Sequence, residues 1–145
     1  MTRSTVDIAR DLDALKASDF DLMRLEADGI ERLRNLCDEL EGFDVHEVAP
    51  ILLHFLERLE GCDLGSPGPI VHTLESMTGY ESFLAESLAR RPTALSAWMV
   101  NRIANADRPD KPNWLKLLRG VACNPVASSE AKTEAAEFLR FQDET

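Results

Sequence analysis

Basic residues are in short supply in this chain of 145 residues: 16 Lys and Arg stand against 26 Asp and Glu, a formal net charge of −10. A surface of that sign repels nucleic acid phosphates and anionic lipid, and it attracts basic partners at long range. Long apolar runs are missing too. None approaches the roughly 20 residues that span a bilayer. The opening MTRSTVDIARDLDALK sets acids where a secretory signal needs its apolar stretch. No nucleic acid partner, no membrane and no export are expected, and a cytoplasmic location is. Cysteine is scarce: Cys37, Cys62 and Cys123 are odd in number, widely spaced and without a CxxC, which suits free thiols in a reducing compartment. Period-two alternation with β-branched enrichment is absent, which argues against a sheet.

The signatures of common catalysts are missing as well. His46, His54 and His72 are eight and eighteen residues apart and form neither HxxxH nor HExxH. Cys37 is flanked by Asp38 and Glu39, and Cys62 precedes Asp63; carboxylates there disfavour the thiolate that a nucleophile needs. There is no GxSxG elbow. The stretch LGSPGPIVHTLE at 64–75 has the glycines of a phosphate loop, but neither the lysine nor a preceding strand. It reads instead as a helix start, with Ser66 as N-cap and Pro67 and Pro69 in the first turn. No catalytic residue, metal ligand or cofactor is assigned. An enzyme would require His72, Glu75 and a further acid to converge in one pocket.

What is present is helical periodicity from end to end. Thr5 caps a first helix with Val6, Ile8, Ala9, Leu12 and Leu15 on one face. Ser18 or Asp19 opens a longer segment with Phe20, Met23, Ile30, Leu33, Leu36, Cys37 and Leu40 as its stripe, divided at Gly29 and stopped by Gly42. In FDVHEVAPILLHFLERLEG, Asp44 and Glu47 have the form of a capping box, and Pro50 moves the expected start towards Val48. Val48, Ile51, Leu52, Leu53, Phe55, Leu56 and Leu59 cover more than half of this helix, so it is expected to lie between neighbours. Further helices follow at YESFLAESLARR, with Tyr80, Phe83, Leu84 and Leu88 inward, and at TALSAWMVNRIAN, begun near Thr93, with Leu95, Trp98, Met99, Arg102 and Ile103 on the packing side. NWLKLLRGVAC groups Trp114, Leu117, Leu118 and Val121; the last helix, capped by Ser128 or Ser129, carries Ala131, Ala135, Phe138 and Leu139. The fold class is all-α: about eight short helices stacked as antiparallel pairs, in a HEAT-like α-solenoid or a compact helical bundle. Pairs beginning near residues 45, 80 and 112 give the repeat-like spacing. One domain, 1–145, is expected, with acidic N-terminal helices over 1–42 and a helical-pair body over 43–145.

The charge is uneven. Residues 1–65 hold 16 acids and 7 bases; residues 66–145 hold 10 and 9. Clustered carboxylates of this kind usually form a solvated helix face, and their other use is as a landing surface for a cationic protein. In WMVNRIAN, Asn101 and Asn105 stand one turn apart and Arg102 one turn from Trp98. Either the asparagines bond the backbone of a neighbouring pair while Arg102 stacks on Trp98, or this helix meets a partner.

Read in order, LGSPGPIVHTLE, Gly79-Tyr80-Glu81, RRPTALSAWMVNRIAN and NWLKLL resemble the small immunity proteins that accompany bacterial polymorphic and contact-dependent growth inhibition toxins. The resemblance spans roughly residues 64–140. It implies a small cytoplasmic all-helical protein that is not an enzyme, binds one cognate basic toxin domain, often a nuclease, and occludes its active site. A helical-repeat adaptor or scaffold with another protein partner is the alternative. Candidate partner-binding residues are Asp38, Glu39, Glu41, Asp44, Glu47, Asp63, His72, Glu75, Asn101, Arg102 and Asn105.

Overall fold

A computed structural model describes residues 3–65, 67–106 and 108–143. They form α1 (Thr5–Asp13), α2 (Gly29–Leu40), α3 (Val45–Arg58), α4 (Pro69–Glu75), α5 (Tyr80–Arg90), α6 (Ala94–Asn105), α7 (Lys111–Cys123) and α8 (Ser129–Asp143), with a 3-10 turn at Ala17–Phe20. The protein is 70% helical, and no strand occurs among the described residues. None of the described helices is long and apolar enough to cross a membrane. The chain gathers into two compact units, residues 1–83 and 84–145, with the boundary inside α5.

In the first unit α1 and α2 pack on each other, α1 also meets α3, and α2 lies along α4. The helices of residues 1–42 therefore share a core with those that follow. That core holds Ile8, Leu12, Leu33, Leu40, Val48, Leu52, Leu53, Ile70 and Leu74, each no more than 1% exposed. As its apolar surface implies, α3 is enclosed on several sides; Phe55 meets Phe20 edge to face at 6.1 Å. Arg58 lies over the Phe55 ring and donates from Nη2 to the Leu12 carbonyl at 2.9 Å, tying α3 to the end of α1.

Local starts differ from the sequence reading at four places. Ser4 rather than Thr5 caps α1, accepting from the Asp7 amide at 3.2 Å, and Val6 then faces solvent at 65% exposure. Helix α3 begins at Val45 with Pro50 inside it. Asp44 caps it by accepting from the amide of His46 at 2.7 Å instead of pairing with Glu47, which fixes the first turn ahead of the proline. Helix α4 begins at Pro69 with Gly68 as N-cap; the expected cap Ser66 lies outside the described residues. The segment from Ser18 to Gly42 is not one divided helix. It is the 3-10 turn, a loop over 21–28, and α2. Gly29 opens α2 because the Asp19 carbonyl closes on it: a β-carbon there would come within 2.8 Å of the Asp19 carbonyl carbon. Leu22, Met23 and Leu25 are left outside.

In the second unit α6, α7 and α8 each pack against the other two, the closed contact of a small bundle. A linear stack gives each element only its sequence neighbours. Ala97, Ala104, Ala131 and Ala135 are fully buried, small enough to bring the helices close around Met99, Leu118 and Leu84. Thr93 and Ser96 form a reciprocal capping box at 3.0 and 2.8 Å. The inward face of α6 is Ser96, Ala97, Met99, Val100, Ile103 and Ala104, rotated from the expected one. Leu95 and Trp98 are half-buried and Arg102 is exposed, because the small residues pack closest.

Candidate functional site

Helix α2 and its C-cap Glu41 turn Arg34, Cys37, Asp38 and Glu41 to one side, at the three- and four-residue spacings that share a helix face. Opposite them the chain enters α4 through Pro67, Gly68 and Pro69, and one turn on come His72 and Thr73. Together these residues line an open hollow of about 430 Å³. Gly68 is held at φ 93° and ψ 175°, a conformation essentially reserved for glycine, which lets the turn pass beside Leu64 before α4 starts.

Cys37 is 1% exposed at the base of the hollow, and Thr73 hydrogen-bonds its thiol. Burial pushes the Cys37 thiol up to about 12, with the nearby charges of Asp38 and Glu41 adding to the effect and the Thr73 bond opposing it. Its thiolate is essentially unpopulated near neutral pH, so Cys37 is a packing residue. Asp38, Glu41 and His72 are exposed on the rim. Two carboxylates and an imidazole in water can offer charge and hydrogen bonds to another surface; they do not enclose a reacting group in a dry cleft. Among the described residues no group of three or more His, Cys, Asp or Glu side chains could hold a metal ion.

Of the residues expected to meet a partner, Asp38, Glu41 and His72 are thus brought together. Glu39 points elsewhere: its Oε1 and Oε2 accept from Nε and Nη2 of Arg3 at 3.0 and 2.7 Å, and Arg3 also bonds Asp11. This fork clamps the segment leading into α1 to α2. The Arg3 bonds hold the Glu39 carboxyl below its usual range. A depressed carboxyl stabilises the fold above its unfolded-state pKa, and that contribution is lost as pH falls through the lower folded value. Asp44 accepts from the His46 amide and also contacts its ring Nδ1 at 2.8 Å, with the amide bond foremost in holding its carboxyl down. Glu47 is exposed on the first turn of α3. Asp63 is exposed and accepts from the Gly65 amide at 3.1 Å, shaping the turn ahead of the hollow. Glu75 is half-buried at the end of α4 and is not among the residues lining the hollow, which sets His72 with Asp38 and Glu41.

The asparagine pair has an internal role in the second unit. Buried Gln142 of α8 donates from Nε2 to Oδ1 of Asn101 at 2.9 Å and of Asn105 at 2.6 Å, and Arg102 stacks over Trp98 at 5.1 Å. The asparagines bond a side chain of α8 where loop backbone was expected. Gln142→Ala is expected to destabilise this unit by about 1–2 kcal/mol, since both bonds go at once. The shift in the urea midpoint, followed by the fluorescence of Trp98 and Trp114, measures it.

Sequence reading missed Arg34, one turn from Asp38 on α2, and Thr73, which no local pattern ties to α2. It also missed the exposure of Leu22 and Leu25. The Asp28-Gly29 pair, a common turn signal, marked the break that puts them outside. The structure therefore defines an all-α protein with an acid-rimmed hollow in its first unit. No protein family, no curated protein and no solved structure matches the chain.

Proposed function

We propose that this protein is an immunity-type inhibitor that binds a cationic toxin domain and covers its active site, with the first unit as the binding unit. The observation that carries this reading is the segregation of charge by unit. Residues 66–83 add Glu75 and Glu81 and no base to the 16 acids and 7 bases before them, so the first unit holds 18 acids against 7 bases and the second 8 against 9. Nuclease domains are cationic where they hold phosphate, and complementary fields speed encounter and favour one register of docking. A tight inhibitor buries on the order of 1,600 Å² in total, within reach of a protein of this size. The likeness of LGSPGPIVHTLE and RRPTALSAWMVNRIAN to immunity proteins supports the same reading.

An adaptor could use an acidic unit equally well, so the decisive experiment reads neutralisation. Immunity genes lie directly downstream of the toxin gene. Co-expression with the toxin domain encoded immediately upstream is expected to restore growth, and the two chains are expected to co-purify. Co-purification without restored growth would leave an adaptor, and the absence of both would overturn the proposal.

A further inference from the structure

The loop over 21–28 exposes three large apolar side chains within four residues. Leu22 is 76% exposed, Met23 91% and Leu25 105%. This is not a slack segment. Arg24 donates to the Asp21 carbonyl at 3.0 Å and Ala27 to the Arg24 carbonyl at 3.2 Å, so the loop is two successive turns. Asp21 Oδ1 also accepts from the Met23 amide at 3.0 Å. Its two ends are drawn together where the Asp19 carbonyl closes on Gly29. An isolated exposed leucine is ordinary, whereas a cluster of apolar side chains on a preformed turn has the properties of an interface anchor.

We infer that this loop is a docking element whose occupant is a cationic protein carrying an apolar pocket beside its basic surface; the inference rests on the proposed function and names the anchor of that binding. Charge selects the occupant. Residues 19–31 hold five carboxylates and one arginine, within the unit that carries 18 acids against 7 bases. Arg32 draws near Asp19 at 3.6 Å and Asp28 at 3.5 Å, which compensates part of this charge and leaves the excess negative. Two copies of such a unit repel one another, and anionic lipid is repelled likewise. A basic protein is attracted at long range, and Leu22, Met23 and Leu25 supply the short-range contact that charge alone does not. Met23 adds an unbranched side chain that adapts to an uneven pocket. A hollow of about 450 Å³ adjoins the loop, lined by Phe20, Leu22 and Ile30 together with Asp19, Asp21, Asp28 and Glu31 against Arg24 and Arg34, with room for a side chain of the partner.

The test compares the wild type with the triple variant L22S/M23S/L25S, and with Val126→Ser as a control at an apolar residue that is 62% exposed in the second unit. Binding to the toxin domain encoded upstream is measured by interferometry. The triple variant is expected to lose roughly 30-fold or more in affinity, mostly through a faster off-rate, with an unchanged melting temperature, while the control binds as the wild type does. Leu25→Ser alone reads a smaller loss in the same direction should the triple variant fail to fold. Wild-type affinity in a folded variant overturns the loop's role and leaves the proposed function standing; no binding by the wild type overturns both. Sedimentation showing a dimer that the triple variant abolishes, or binding to vesicles that depends on the loop, would assign it to another occupant and overturn the inference.

Discussion

Gly68→Ala is expected to destabilise the first unit by about 3 kcal/mol or more. Two costs coincide. The backbone at Gly68 has φ 93° and ψ 175°, and forcing an L-residue into that region costs on the order of 1–3 kcal/mol. The added methyl would also stand within 3.0 Å of the carbonyl carbon of Leu64, against backbone that cannot turn away as a side chain can. Leu64 is itself 3% exposed, so relief by moving that strand of the loop would disturb the core. Gly42→Ala is the matched control: a β-carbon there meets nothing within 4 Å, and its effect is expected to stay within about 0.5 kcal/mol. Far-UV circular dichroism during urea unfolding reads both units. Fluorescence reads the second, which holds both tryptophans, Trp98 and Trp114, so the two signals together assign the loss. Equal midpoints for Gly68→Ala and Gly42→Ala would show that the turn into α4 has freedom the structure does not give it.

Because Pro67, Gly68 and Pro69 form one wall of the acid-rimmed hollow, the same substitution separates fold from site. A chain that still folds but has a displaced α4 start would move His72 away from Asp38 and Glu41. Weakened partner binding beyond what the unfolded fraction accounts for would place that wall in the interface.

The all-helical class was legible because its cues are local. Apolar residues recur every three or four positions, and prolines and glycines cut the chain between them. Thr93 caps α6, near where its start was expected, and α3 is enclosed as its nearly continuous apolar surface requires. Where the reading failed, a contact distant in sequence had won. Phe20, Met23 and Ile30 fit a helical stripe, yet Met23 faces water because the Asp19 carbonyl reaches Gly29 and folds out the residues between. Pro50 could not start α3 later, since the Asp44 cap already fixes the turn before it. On α6 the most closely packed residues are small ones, so the large residues chosen as its inward stripe lie partly at its edge.

The candidate site was legible as chemistry and not as place. Asp38 and Glu41 share a helix face with Cys37, but the association with His72 arises from α2 lying along α4. No spacing within either helix specifies that crossing. The same holds for Gln142, which reaches Asn101 and Asn105 from 41 and 37 residues away and gives two expected contact residues a hydrogen-bond partner within their own unit.

On the proposed function, the double variant Asp38→Lys/Glu41→Lys is expected to slow association with the toxin domain roughly 10-fold at low salt. The pair is chosen over Glu39 for a physical reason. Long-range steering sums charge and is indifferent to whether a carboxylate is already paired, so reversing Glu39 would also slow encounter. It would in addition break the bidentate bond to Arg3 and set two cations against each other beside α1, mixing a folding defect with a kinetic one. Asp38 and Glu41 are exposed at the hollow, and their carboxylates raise the Cys37 thiol pKa, so lysines there relieve that effect without uncovering the buried sulphur. The variant is therefore expected to melt as the wild type does. Stopped-flow association measured across a salt series checks the claim. At about 1 M salt the screening length falls to about 3 Å, and the rates of wild type and variant should meet there. A variant that associates as fast as the wild type at low salt would remove this face from the encounter and turn attention to the other carboxylates of the first unit, among them those bracketing the apolar loop at residues 21–28.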